Sequence, residues 1–454
     1  MNTASAQKAR QPRMANSLVD AIHNLLTPAM WRQAHRHVHR RRCRWGVQPL
    51  VVVLLVMTWC CGDSLGERFE TAKAFCVVSL PKRRRPGKTV AGFEKALRKL
   101  PVMALKALAA GVRVKLQAWF ASVWTFGEWV PFGVDGSRLQ CPLTDEARQR
   151  LGRANHEATG PCIWVTALVQ LRLGLLWSWR LGKGDASERH HLLHLLSTLP
   201  AQALVVADAG FGGYPVAQAV VAAGKHYLIR MCSNKTLLTD GQPHGSRDQL
   251  VTCWPRDVKL PLRARLLRIR ARKGQRRYDV YLLTDVLDKQ RLSHEQASQL
   301  YRWRWQNEGM FRTYKRTMAK LKLEHRTVRL IHREAEGSLL AMQLLLALGV
   351  WGVNPPQAQT ATRSAPNQCS PRQVLLIVRL EILSRLGPRM RCQFAARLTQ
   401  AKRSDRQQKS AKQKRDWARR RDHKPPKPPH LRKMTKKQKQ RLLRIKSKNP
   451  GAFS

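Results

Sequence analysis

Between Trp129 and Met231 short apolar runs alternate with turns and amphipathic stretches, and their order constrains the fold more than any other feature of the chain. Val130-Pro-Phe-Gly-Val134 reads as a strand that ends at Asp135 and the turn-forming Gly136. Cys162–Leu171 and Leu173–Leu181, rich in Val, Leu and Trp, read as two more strands. A helix over Ala186–Leu199 comes after them. Ala203-Leu-Val-Val-Ala207 then reads as a buried strand that again stops at an acid, Asp208. Tyr214–Ala223 has helical character, and His226–Met231 is a last short strand.

The order β-β-β-α-β-α-β is that of a ribonuclease-H-like mixed sheet, an α/β fold in which strands one and four are neighbours. In it Asp135 and Asp208 meet at one sheet edge, although 73 residues separate them. Residues 232–291 read as a β-rich insertion, with alternation in Leu262–Ile269 and Tyr278–Thr284 and a cationic segment from Arg263 to Arg277. From Ser293 the chain turns helical. The apolar runs Leu50–Met57 and Leu339–Val350 are shorter than the roughly 20 residues needed to cross a bilayer, so both read as buried helices and no membrane is expected as a partner.

The segment 129–351 has flanks of different texture. Residues 1–128 read as all helical, with a basic run Arg40-Arg41-Arg42 and a basic break at Lys82–Lys88. They suit either a DNA-binding domain or a helical cap on the 129–351 segment. Residues 352–400 read as a Pro-, Gln- and Thr-rich linker, 352–370, with short helices after it. Residues 401–454 carry 21 Lys or Arg against three Asp and read as a disordered basic tail that binds polyanions without sequence preference. The whole chain holds 84 Lys and Arg and 28 Asp and Glu, a net charge of +56, which makes nucleic acid the first partner to consider. Its ten Cys form no Cys-x-x-Cys pair, which argues against structural zinc and fits free thiols in a reducing cytosol.

The segment Tyr301–Lys315 contains no Pro and reads as one helix. At about 100° per residue, Tyr301, Arg304, Glu308 and Lys315 fall within an arc of roughly 60°. One reading is a surface helix with an i,i+4 Arg304–Glu308 ion pair. The other is a site that holds a metal through Glu308 and phosphates through its basic neighbours. With Asp135 and Asp208 at strand ends, Glu308 completes a trio of carboxylates. Such a trio can hold two divalent cations at a phosphodiester, and the cations relieve the mutual repulsion of the acids. Mg²⁺ suits all-oxygen donors of this kind.

These residues carry a resemblance. The chain resembles DDE transposases of bacterial insertion sequences, in the group whose signature is Tyr, two residues, Arg, three residues, Glu, six residues, Lys; Tyr301, Arg304, Glu308 and Lys315 match every spacing. Asp135-Gly136-Ser137-Arg138 and Asp208-Ala-Gly210-Phe211 match the group's two Asp motifs, and the insertion lies where the group's does. The match spans roughly 130–350. The resemblance implies that Asp135, Asp208 and Glu308 bind two Mg²⁺ or Mn²⁺, that DNA is cut at the element ends, and that the freed 3′-hydroxyl attacks either across the duplex to form a hairpin or directly in target DNA, to which the ends are joined. It implies that Tyr301, Arg304 and Lys315 contact phosphates, that a homodimer holds paired ends, and that the protein works in the bacterial cytoplasm. It also implies an aromatic in the insertion onto which a base flips; Trp254 is the insertion's one Trp, and burial in a β-subdomain is its simpler role. Glu188, after the third strand, reads as a solvated helix acid or a neighbour of the metal site. Two other readings stand beside this one: an inactive DNA-binding derivative of a transposase, and a ribonuclease-H-like nuclease without strand transfer.

Overall fold

The computed structural model describes residues 16–38, 45–82, 85–153, 160–239, 247–255, 258, 260–273, 276–354, 366, 368–387, 393–402 and 427–448. The Arg40–Arg42 run, most of the 352–370 linker and residues 403–426 of the tail lie outside them.

Six helices come first: α1 (Leu18–Leu25), α2 (Pro28–Arg36), α3 (Val47–Trp59), α4 (Leu65–Ser79), α5 (Val90–Lys99) and α6 (Val102–Phe120). Local chemistry starts several of them. Ser17, Thr27, Ser64 and Thr89 each accept a backbone N–H of the first turn through the side-chain oxygen. Helix α3 is apolar on every side, and 12 of its 13 residues are buried, as a helix wrapped by others must be.

The chain then alternates β1 (Val130–Gln140), α7 (Asp145–Leu151), β2 (Cys162–Gln170), β3 (Leu175–Lys183), α8 (Glu188–Leu195), β4 (Ala203–Ala207), α9 (Tyr214–Ala222) and β5 (His226–Met231). Four more strands are β6 (Thr236–Thr239), β7 (Asp248–Cys253), β8 (Leu262–Lys273) and β9 (Arg276–Thr284). Helices α10 (His294–Trp303), α11 (Trp305–Arg312), α12 (Val328–Val353), α13 (Pro371–Leu386) and α14 (Phe394–Thr399) come next, then β10 (His430–Lys433) and α15 (Lys436–Lys448).

All ten strands join one mixed sheet in the order β10-β6-β7-β8-β9-β5-β4-β1-β2-β3. Strand β1 runs parallel to β4, with Gly133 opposite Val206, and antiparallel to β2. The expected α/β class and the pairing of strands one and four are therefore present. Residues 236–284 form strands β6 to β9, and because β9 pairs with β5 and β8 with β9 they extend the same sheet. Three expectations need correction. Strand β1 does not stop at Asp135 but stays paired with β2 as far as Gln140. The 301–315 helix is three segments, with Arg304 at the joint of α10 and α11 and a π-helical turn over Thr313–Thr317. The basic tail is not uniformly structureless, because its residues 430–433 and 436–448 form β10 and α15.

Helix α12 organises the core. It begins at Val328, well before the apolar run at Leu339, and by length and composition could cross a bilayer, but its apolar window is wholly buried inside the protein. It packs on α3, α5 and α6 on one side and on β3, α13 and α14 on others. The N-terminal helices and one face of the sheet thus share one hydrophobic core. Gly337 lets α12 press against α3, since a Cβ there would collide with Leu54.

Candidate active site

Strand β4 ends at Ala207, and Asp208 then caps a short 3₁₀ turn over Ala209–Phe211. Its Oδ1 accepts the Ala209 N–H at 2.7 Å, Arg230 Nη1 at 3.3 Å and the Tyr301 hydroxyl at 3.4 Å. On the neighbouring strand Asp135 comes just after the last residues that pair with β4, and its Oδ1 accepts the Gly136 N–H at 2.8 Å. Parallel pairing of β1 and β4 thus carries both acids to one end of the sheet.

Helix α11 brings the third acid and packs on β1 and β2. Arg304 Nη2 lies 4.0 Å from Asp208 Oδ2 and 3.7 Å from Glu308 Oε1. One guanidinium nitrogen is therefore shared by two of the three carboxylates. Burial is the main force raising the Asp135 carboxyl above its ordinary range; the Gly136 N–H and Arg304 oppose it, and Glu308 and Asp208 add to it. The Tyr301 hydroxyl is raised by burial first and by Asp208 second.

An open cavity of about 430 Å³ has Asp135, Gly136 and Ser137 on one wall and Glu308, Arg312, Lys315 and Arg316 on the other. Asp208 is not among its lining residues. Burial, and then Arg138, hold the Lys315 ammonium below its usual range. Arg138 itself stacks on Trp164, with its guanidinium 4.3 Å from the ring centroid.

The six residues singled out from sequence thus fall into two linked groups. Tyr301, Arg304 and Asp208 touch, while Asp135, Glu308 and Lys315 line the cavity, and Arg304 bridges the groups. Sequence reasoning missed Arg230, Arg312 and Arg316. The latter two stand four and eight residues beyond Glu308, a helical spacing that was there to be read. Glu188 reads from sequence as a solvated helix acid first and as a neighbour of the metal site second. It stands over the site: a Cβ on Gly136 would lie 2.5 Å from its Oε2, and one on Gly210 3.5 Å from its Oε1. Burial raises its carboxyl, and Asp135 raises it further. Trp254 is half buried, packed with Leu238, Met434 and Leu442, and its ring lies under Arg441.

The donor set fits a hard divalent cation. All three acids offer oxygen only, and the site already attracts one cation, the Arg304 guanidinium. Among the described residues no three Asp, Glu, His or Cys side chains are grouped closely enough to hold a metal at once. The Arg304 guanidinium lies within 4.0 Å of both Asp208 and Glu308, where it offsets their charge.

Residues 132–344 match the family model of the transposase DDE domain, a segment that contains all six site residues. The match supports a transposase of the DDE type. Among solved structures, the chain is similar to one described as the cryo-EM structure of the piggyBac transposase synaptic complex with hairpin DNA, at 12% identity and a TM-score of 0.42, over 87% of each chain. No curated protein matches the chain.

Proposed function

We propose that this protein is the DNA transposase of a bacterial insertion sequence, built on a ribonuclease-H-like core. The observation that carries the reading is the electrostatic grouping of Asp135, Asp208 and Glu308 around Arg304, at the end of two parallel neighbouring strands. The strand order, the match over 132–344 and the net charge of +56 support it.

Asp135, Asp208 and Glu308 would hold two Mg²⁺ or Mn²⁺. Bound there, the ions supply an activated water or 3′-hydroxyl and stabilise the leaving oxygen of a phosphodiester. The chain's own groups do the rest. Arg304 can grip a phosphate through two N–H groups once it leaves the acids, whereas Lys315 acts as a point charge on the cavity wall. Tyr301, whose hydroxyl donates to Asp208 Oδ1 at 3.4 Å, would contact a phosphate of the bound strand. Arg312 and Arg316 extend the cationic wall along the DNA strand. Two ends must be joined in one event, so the working unit is a homodimer on paired ends, in the bacterial cytoplasm.

Incubating the protein with the DNA that flanks its gene and Mg²⁺ tests this. Wild type yields nicked and joined products, and Glu308→Gln yields neither. Equal product from Glu308→Gln would sink the site. Lack of product from the wild type on every flanking DNA would favour the inactive DNA-binding derivative.

A further inference from the structure

The end of the chain returns to the sheet. Strand β10 pairs in parallel with β6, His430 opposite Thr236 through Lys433 opposite Thr239. Backbone bonds flank the pairing, from His430 N–H to Lys235 O at 2.9 Å and from Met434 N–H to Thr239 O at 3.0 Å. Met434 and Leu442 are buried with Leu238 in a small core of their own, with Trp254 packed on it. Arg441 covers the Trp254 ring, 5.1 Å from its centroid. Helix α15 is therefore seated on the extended sheet by a strand, a core and a cation–π contact.

Its outward chemistry is one-sided. Residues 427–448 hold ten Lys or Arg and no acid. Arg432, Lys433, Lys436, Lys437 and Arg444 are exposed, and among the described residues none of them pairs with a carboxylate. Cations held this close repel one another, so the face is suited to a rigid polyanion. Its 13 residues span about 20 Å at 1.5 Å per residue, roughly six base pairs of duplex.

We propose that β10 and α15 form a docked backbone clamp for duplex DNA, set apart from the catalytic centre. Resting on the transposase reading, the inference also fixes a distance. Strand β10 is the edge strand, six positions from β4. At about 4.8 Å per strand that is roughly 29 Å, or eight to nine base pairs along B-form DNA. The clamp would grip DNA eight to nine base pairs from the cut, and its row of cations would contact phosphates, which position the duplex without reading its sequence.

The test compares full-length wild type with a variant carrying Arg432, Lys433, Lys436, Lys437 and Arg444→Gln, by fluorescence anisotropy on a 30-base-pair duplex of arbitrary sequence without divalent metal. The expected loss is tenfold or more at moderate salt, with the slope of log affinity against log salt reduced by about 0.9 per lost phosphate contact. Met434→Asp, which keeps every cation but undocks the helix, should remove the footprint eight to nine base pairs from the cut on flanking DNA. Unchanged affinity and slope in the Gln variant overturn the clamp, as does a loss confined to single-stranded RNA or anionic vesicles of the same charge. A footprint that survives Met434→Asp overturns the docking. If wild type binds duplex through these residues yet never cuts DNA, the transposase reading fails and the clamp stands. If the Gln variant cuts and binds as wild type does, the reverse holds.

Discussion

Arg304 Nη2 stands 3.7 Å from Glu308 Oε1, while the Nε of the same side chain is buried with no hydrogen-bond partner among the described residues. The guanidinium is thus held by charge, not by a full set of hydrogen bonds, and it neutralises two of the three acids. It competes with any cation that enters. Arg304→Gln should therefore tighten Mn²⁺ binding by the DNA-free protein about tenfold, well under the full Coulomb attraction at 4 Å because both acids are partly exposed. The same change should weaken binding to DNA ends. Calorimetry with Mn²⁺ and anisotropy on end DNA read the two effects apart, and a drop in Mn²⁺ affinity would reverse the role assigned to Arg304.

Gly136 controls how closely Glu188 and Trp164 approach Asp135. A Cβ there would lie 2.5 Å from Glu188 Oε2 and 2.6 Å from Trp164 Cζ2. Gly136→Ala must push that packing outward while the strand, extended at this point, keeps its pairing opposite Thr166. A displacement near 1 Å beside a reacting group can lower a rate about a hundredfold. The cleavage assay should show a loss of that order with circular dichroism unchanged; full activity would show that Asp135 tolerates the shift.

The strand order and the two Asp positions could be read in advance because buried strands leave continuous apolar runs that break where the chain leaves the core. Asp135-Gly136 misled for a physical reason. Asp-Gly favours turns, yet here the glycine serves close packing inside a strand, and only tertiary neighbours reveal that. The break at Arg304 was equally silent, since no Pro or Gly marks it; Arg304 keeps right-handed helical dihedrals, and only the i→i+3 bonds on either side of it, Arg304 N–H to Tyr301 O at 3.2 Å and Asn307 N–H to Arg304 O at 3.0 Å, separate the two helices. The return of β10 to β6 joins residues nearly 200 positions apart, and Leu431, Met434 and Leu442 are too sparse among lysines to announce it.

Arg265 is almost wholly buried, and its guanidinium donates to Asp248 Oδ1 at 3.1 Å and to the carbonyls of Val286, Asp288 and Leu292 at 3.1, 2.9 and 2.8 Å. It ties β8 to the loop that leads into α10, the helix that carries Tyr301. Arg265→Met removes the charge and strands those carbonyls, for a loss of about 3–5 kcal/mol. Urea denaturation should show it, and hydrogen exchange should rise first in residues 286–292. A stability within 1 kcal/mol of wild type would mean that the loop is held by other contacts.

Glu334, on α12, is buried against Lys320 Nζ at 2.9 Å, His325 Nδ1 at 2.9 Å and the N–H groups of Glu324 and His325 at 2.9 and 3.1 Å. Burial pushes its carboxyl up, but Lys320 and His325 together outweigh it and hold the group well below the usual carboxylate range. A carboxyl depressed in the folded state binds fewer protons there than in the unfolded chain. Its contribution is complete above the ordinary Glu value of about 4.3 and is lost as pH falls below it. Glu334→Gln should therefore cost about 3–5 kcal/mol at pH 7, because Lys320 is left buried without its partner. The gap between wild type and variant should narrow steadily below pH 4. Urea midpoints at both pH values measure this, and a gap that widens on acidification would contradict the assigned direction.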